Sequence, residues 1–149
     1  MKKALFATAL ALAAVSASAV EVGVIATRDY SGDNRNGGGV TIGQKYGAVG
    51  VTAGFERFTK GTNDQDRYSL VAGYDVAKVG IFTVTPKVGV AYLNNQVGEN
   101  GYAMTVGAGV STPITKQVSV GLDVARQYGQ DRVKASDGNT VTVGVNYKF

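Results

Sequence analysis

The 149-residue chain contains no cysteine, no histidine and no tryptophan, and only two prolines. Without cysteine the fold cannot rely on disulfide bonds, and without histidine the chain lacks the commonest general base and metal ligand. The Ser–His and Cys–His nucleophile pairs are therefore excluded, as are zinc sites built on those residue types. We predict that the protein is not an enzyme and uses no metal or other cofactor.

Long apolar runs are also scarce, and the longest lies at the N-terminus. Two lysines precede an apolar stretch over residues 4–15, and Ala17 and Ala19 are small residues where a signal peptidase reads the chain. The stretch is shorter than the roughly 20 residues that a membrane-spanning helix needs. We predict a cleavable signal peptide over residues 1–19, with cleavage after Ala19, followed by one domain over residues 20–149.

The predicted mature chain has a smaller net positive charge than the full sequence. The formal net charge is +4, but two of the lysines lie in the predicted signal peptide, which has no acidic residue. Residues 20–149 therefore carry a formal charge of +2. A balance this close to neutral does not indicate a nucleic-acid partner.

The chain is instead rich in glycine, valine and tyrosine, which is typical of an all-β protein. Eight segments alternate apolar and polar side chains, as β-strands with one apolar face do. Most of them are close to the 9–11 residues that a tilted membrane strand needs. They cover residues 20–28, 40–46, 49–58, 67–76, 81–93, 102–111, 117–128 and 140–149.

The connections between these segments alternate in length. Polar loops are predicted at residues 29–39, 60–66, 94–101 and 129–139, and short turns at residues 47–48, 77–80 and 112–116. Long loops on one side and short turns on the other are typical of outer-membrane barrels. The even number of strands then predicts that both termini lie on the periplasmic side.

The two faces of the predicted strands differ in residue size. Ten glycines lie opposite the apolar face, where small residues relieve crowding inside an eight-stranded barrel. A soluble lipocalin-type barrel would instead pack its large apolar residues inside. Aromatic residues on the apolar face form two belts, as rings at both membrane interfaces would. The loop-end belt is Tyr30, Phe55, Tyr68, Tyr92, Tyr102 and Tyr128, and the turn-end belt is Tyr46, Tyr74, Phe82, Tyr147 and Phe149.

The last strand ends the chain with a polar residue, a glycine and two aromatics at fixed spacing: Thr142, Gly144, Tyr147 and Phe149. This pattern resembles the C-terminal signal of bacterial outer-membrane barrels. With the strand pattern, residues 20–149 resemble the small barrels of the OmpX and OmpA transmembrane-domain kind. The resemblance implies a monomeric, eight-stranded, antiparallel up-and-down transmembrane β-barrel in the bacterial outer membrane. It also implies insertion by the barrel-assembly machinery through the last strand.

The predicted inward face carries four acidic and four basic residues. Charges removed from water need partners, and the strand heights predict four pairs. The pairs are Glu56 with Arg67, Glu21 with Lys148, Lys45 with Asp75, and Lys87 with Asp123. Two interpretations remain open: a charge network that closes the lumen, or a narrow porin-like channel for ions or small solutes.

The predicted outward face carries three charged residues, Arg28, Arg57 and Arg126, each at the loop end of a strand and near an aromatic residue. The guanidinium fork suits phosphate, which lipopolysaccharide supplies in the outer leaflet. Snorkelling of the side chains into the headgroup region is the alternative. We therefore predict lipopolysaccharide and other outer-membrane lipid as partners, and a structural or surface-interaction role in which the loops contact an extracellular ligand.

Overall fold

The computed structural model describes residues 19–31, 34–60, 63–95, 100–130 and 137–149. Most of the predicted signal peptide lies outside these residues, so its cleavage remains a prediction. The described residues include no helix long and apolar enough to cross a bilayer. Their strands are β1 (Val20–Asp29), β2 (Arg35–Tyr46), β3 (Val49–Lys60), β4 (Asn63–Tyr74), β5 (Ala77–Val79), β6 (Phe82–Asn95), β7 (Gly101–Pro113), β8 (Val118–Gly129) and β9 (Gly138–Lys148).

These strands form one antiparallel sheet that closes on itself. Strand β1 pairs with both β2 and β9, and β4 pairs directly with β6. The short β5 follows β4 along the same edge of β6, so the two together fill one position in the wall. The closed wall therefore has eight positions, which confirms the predicted eight-stranded up-and-down barrel.

The register gives the stagger of the barrel. A path that leaves β7 at Tyr102 and follows direct cross-strand partners around the wall returns to β7 at Thr112, a displacement of ten residues. A stagger of this kind requires the strands to tilt relative to the barrel axis. An eight-stranded wall encloses an interior only about as wide as its own side chains.

The strands extend further into the predicted loops than the sequence pattern indicates. Strand β2 begins at Arg35 rather than Val40, and β4 begins at Asn63 rather than Arg67. Their polar residues stay in the sheet because neighbouring strands supply partners for the backbone N–H and C=O groups. The predicted contrast between long loops and short turns is therefore wrong at this hairpin, where only residues 61–62 separate β3 from β4.

Two of the turns at the other end depend on glycine. Gly47 and Gly80 both have a φ angle of 62°, in the left-handed region that glycine adopts without strain. The predicted turn at Gly47 and Ala48 is confirmed. The predicted turn over residues 77–80 is displaced, because β5 occupies its first three residues and the chain reverses at Gly80 and Ile81.

The outward face of the wall is apolar and exposed, so the large aliphatic residues do not form a conventional core. Val24 is 66% exposed, for example, and the other large aliphatic residues at outward positions of β1, β6, β7, β8 and β9 are also exposed or half-exposed. An apolar surface of this extent needs a lipid environment rather than water. The chain is a β-barrel membrane protein.

Aromatic residues lie towards both ends of this apolar surface, as predicted. Phe55, Tyr68, Tyr92 and Tyr102 are consecutive cross-strand partners on β3, β4, β6 and β7. Ring centroids are 5.2 Å apart in both the Phe55–Tyr68 and the Tyr92–Tyr102 pairs. Side-by-side rings in a sheet stabilise strand pairing, and they suit the interface between hydrocarbon and headgroups.

Candidate functional site

The interior of the barrel differs between its loop half and its turn half. The largest fully buried side chains are Phe58, Leu93, Gln65 and Gln127, which all point inward in the loop half. The rest of the interior contains a cavity of about 350 Å³ whose lining reaches the turn end. The lumen is therefore packed with side chains at the loop end and contains open space at the turn end.

An arginine organises the packed end. The Nε atom of Arg67 donates to Glu56 Oε2 at 2.7 Å, and its Nη1 atom donates to Gln127 Oε1 at 3.3 Å. The guanidinium carbon lies 4.8 Å from the centre of the Phe58 ring. Since Arg67 belongs to β4 and Gln127 to β8, these contacts cross the lumen. We call Glu56, Phe58, Arg67, Leu93 and Gln127 the plug.

The plug carboxylate is held from a second side as well. The Thr27 hydroxyl donates to Glu56 Oε1 at 2.5 Å and lies 2.8 Å from the Thr142 hydroxyl. Glu56 is 2% exposed and Arg67 is 8% exposed. A buried pair of opposite charges is tolerated when further hydrogen bonds satisfy it, and such a network favours one arrangement of the side chains.

Inward glycines leave room for these groups. A Cβ atom at position 37 would lie 2.6 Å from the Phe58 ring, and one at position 109 would overlap the Asp123 carboxylate. Gly37 therefore admits the aromatic ring of the plug, and Gly109 admits an ion pair lower in the lumen. Small residues on the inward face thus have specific large neighbours.

The cavity is walled by glycine, serine and threonine and is crossed by two ion pairs. Lys45 Nζ lies 2.5 Å from Asp75 Oδ2, and the Thr85 hydroxyl donates to Asp75 Oδ1 at 2.7 Å. Lys87 pairs with Asp123, connecting β6 and β8 over β7. Both side chains of the second pair are about one-third exposed, so water in the cavity screens them.

The structure places most of the predicted lumen charges together. Three of the four predicted pairs form, and seven of the eight residues line the cavity: Glu21, Lys45, Glu56, Arg67, Asp75, Lys87 and Asp123. The prediction is wrong for Lys148. It is the direct cross-strand partner of Glu21, yet its side chain is exposed and forms no ion pair with Glu21. At the last residue of β9 the ammonium group reaches water, where solvation costs less than burial.

The outward arginines are not equivalent. Arg57 Nε donates to Asp66 Oδ1 at 2.8 Å, and Arg57 Nη2 donates to Asp66 Oδ2 at 3.1 Å. The prediction that arginine alone carries outward charge is therefore wrong, because β4 begins early enough to place Asp66 on the same face. This two-point contact compensates the charge of Arg57.

Arg28 and Arg126 have different neighbours. Arg28 Nη1 donates to Asn36 Oδ1 at 2.7 Å, and its guanidinium lies 5.7 Å from the Tyr30 ring centre. The guanidinium of Arg126 lies 5.4 Å from the ring centre of Tyr128. Within the described part of the chain, neither arginine forms an ion pair with a carboxylate.

The C-terminal residues lie at the seam where the barrel closes. The Phe149 amide donates to the Val20 carbonyl at 3.0 Å, and the Tyr147 and Phe149 ring centres are 5.0 Å apart on the outward face. Thr142 and Gly144 point inward on the same strand. This placement leaves the two aromatic rings accessible at the turn end.

Sequence reasoning predicted the Glu56–Arg67 pair of the plug but missed its apolar members. Phe58 and Leu93 are large apolar residues at inward positions of β3 and β6, and both are completely buried. The signal was present, since Phe58 is two residues from Glu56 and must share its face. The ring fits beside Gly37, its direct cross-strand partner on β2, and the sequence pattern had placed Gly37 in a loop.

No family model and no curated protein matches this chain. Several solved structures, however, match it in fold. Neisserial surface protein A superimposes with a TM-score of 0.65 at 14% identity over 90% of this chain and 98% of that one. The attachment invasion locus protein Ail of Yersinia pestis gives a TM-score of 0.54 at 16% identity over 89% and 97%. A de novo designed transmembrane β-barrel gives a TM-score of 0.59 at 13% identity, over 90% of this chain and 98% of that one.

Identities this low establish a shared fold and nothing finer. The chain has the fold of the small eight-stranded outer-membrane β-barrels, as its strand pattern and last strand implied. Its outward apolar surface and its inward-facing charged residues are consistent with that class.

Proposed function

We propose that this protein is a monomeric bacterial outer-membrane barrel with a structural or surface-interaction role and a closed lumen. The polar loops face the outside of the cell, and both termini face the periplasm. The barrel-assembly machinery inserts the chain through β9, using Thr142, Gly144, Tyr147 and Phe149. With neither histidine nor cysteine for nucleophilic catalysis, the proposal assigns the protein no enzymatic activity.

The observation that carries the closed lumen is the contact of Arg67 with Glu56, Gln127 and the Phe58 ring. Ion passage requires either a hydrated path or a ring of groups that replaces the hydration shell. The plug contains side chains from opposite sides of an interior that is already narrow. Its charges are also paired with each other, so they offer a passing ion no free ligand.

The narrow channel for ions or small solutes is the second candidate, and the cavity is the observation that favours it. A cavity of about 350 Å³ extends from the turn end to Glu56 and Arg67. A conducting path would need the plug and the other buried side chains of the loop half, such as Gln65, to move aside. The two candidates therefore differ in whether the loop half of the lumen stays packed.

Conductance across a planar lipid bilayer separates them. We expect the refolded barrel, residues 20–149, to conduct negligibly, and Arg67→Ala to introduce a leak because it removes the group that crosses the lumen. Lys45→Ala serves as the control, since its pair with Asp75 lies at the turn end below the plug. Steady wild-type conductance steps that persist in Arg67→Ala would favour the channel.

The surface role has a separate test. Replacing the loop between β8 and β9 by a short turn leaves the wall strands intact, so the barrel is expected to assemble while adhesion of whole cells to a host-cell or abiotic surface declines. Unchanged adhesion after shortening each loop in turn would leave the structural role alone. Labelling of intact cells at a loop and at a turn checks the orientation directly.

A further inference from the structure

The three outward arginines divide into one that is neutralised and two that are not. Asp66 contacts Arg57 with both carboxylate oxygens. Arg28 instead donates to a neutral amide, and Arg126 lies over a tyrosine ring. Among these three arginines, only Arg28 and Arg126 therefore carry a charge that no carboxylate of the described residues compensates.

These two residues flank a single strand. Arg28 on β1 is the cross-strand partner of Val141, and Arg126 on β8 is the partner of Asn139. Val141 and Asn139 are two residues apart on β9 and share the outward face. Strand spacings of about 4.8 Å and rises of about 3.4 Å per residue place the two arginine Cα atoms about 12 Å apart. Both side chains can thus reach a group seated over β9.

The adjacent tyrosines indicate the depth of this site. Tyr30 and Tyr128 belong to the loop-end aromatic belt, which marks the boundary between hydrocarbon and headgroups. A ligand held here has its charged group at headgroup depth and apolar surface directly below it, along Val24 and Val124. That combination matches an amphipathic lipid better than a soluble anion.

We propose that Arg28 and Arg126 form one binding site, across β9, for the phosphate groups of an outer-leaflet lipid of the lipopolysaccharide type. Arg57 takes no part, because the Asp66 carboxylate already compensates its charge. Guanidinium groups bind phosphate through two parallel hydrogen bonds, and a cation held against an aromatic face is oriented for that contact. The leaflet in which the site lies rests on the proposed orientation; its chemistry does not.

The test compares thermal stability with and without added lipid. The refolded barrel in detergent micelles, which have no sidedness, is titrated with lipopolysaccharide, with the same lipid after removal of its phosphates, and with inorganic phosphate. The variant is R28Q/R126Q. One control, K78Q/K116Q, removes the same charge from exposed lysines at the turn end. The other control, R57Q/D66N, removes the third arginine together with its partner.

We expect intact lipopolysaccharide to raise the melting temperature of the wild type and of both controls. The R28Q/R126Q variant should lose more than half of that rise, and neither the dephosphorylated lipid nor inorganic phosphate should produce it. The heat-dependent gel mobility of each variant verifies that the barrel is folded before lipid is added.

Several results would overturn the proposal. A wild type that does not respond to lipopolysaccharide removes the site, and an R57Q/D66N variant that loses as much as R28Q/R126Q shows a diffuse arginine belt. A full response to the dephosphorylated lipid excludes phosphate recognition, and a full response to inorganic phosphate excludes a lipid-specific site. Each of these is independent of whether the lumen conducts or which way the barrel faces.

Discussion

Removing the charge of Arg67 should destabilise the barrel more than removing any other lumen cation. The substitution Arg67→Met keeps an unbranched apolar side chain while deleting the hydrogen bonds to Glu56 and Gln127 and the guanidinium contact with the Phe58 ring. It leaves the Glu56 carboxylate, 2% exposed, without a counter-charge. Breaking a buried pair in this way costs about 3–5 kcal/mol.

Two features of the structure adjust that magnitude. The cavity reaches Glu56 and Arg67, so water can approach the abandoned carboxylate and reduce the loss towards about 3 kcal/mol. The Thr27 hydroxyl continues to donate to Glu56 and offsets a further part. A matched control is Lys45→Met, because the Lys45 side chain is 39% exposed. Breaking that screened pair should cost less than about 1 kcal/mol.

Reversible urea unfolding of the refolded barrel in lipid vesicles, followed by far-ultraviolet circular dichroism, measures both losses. The double variant Glu56→Gln with Arg67→Met should recover part of the stability, because the uncompensated charge is gone. If Arg67→Met and Lys45→Met cost the same, or if the double variant is less stable than Arg67→Met alone, the plug is not a coupled network.

Three further predictions concern other parts of the chain. Deleting Phe149 should lower the amount of protein in purified outer membranes far more than the stability of the refolded barrel in detergent, since the terminal aromatic completes the predicted assembly signal; unchanged membrane levels would contradict that role. Gly107→Ala should cost about 1–3 kcal/mol because its methyl group would overlap the backbone carbonyl oxygen of Val124 on β8, whereas Gly121→Ala, whose methyl group would have ordinary contacts at 3.6 Å, should be nearly neutral in the same unfolding assay. Mass spectrometry of the membrane-inserted protein should give a mature chain that begins at Val20, and retention of residues 1–19 would show that the signal peptide is not removed.

The alternation of side chains along each strand was sufficient to predict the fold. Because the pattern has period two, it separated the outward Val141, Val143 and Val145 from the inward Thr142 and Gly144 without tertiary information. It also placed Glu56 opposite Arg67 at the correct height, since antiparallel register follows from the hairpin between β3 and β4. Ion pairs inside the lumen were predictable where the two side chains lie on neighbouring strands or at the same height in the barrel.

The strand ends and the apolar part of the plug were not predictable, for different reasons. Arg35 to Gly39 is a polar, glycine-rich stretch with low strand propensity, and it is ordered as β2 only because β1 and β3 supply backbone partners on both sides. The plug required Phe58 to be matched with Gly37. Lys148 was misplaced because period two gives the face of a side chain but not whether a terminal residue reaches water.

The chain has no cysteine, so a single introduced thiol reports on the lumen without background. Ser111 and Ala103 lie on the same inward face of β7, the first lining the cavity and the second 1% exposed at the packed end. Treating Ser111→Cys and Ala103→Cys variants of the refolded barrel with a small charged thiol reagent compares the two halves directly. A lumen open at the turn end and closed by the plug predicts rapid modification at position 111 and protection at position 103. Equal, rapid modification at both positions would contradict a closed lumen.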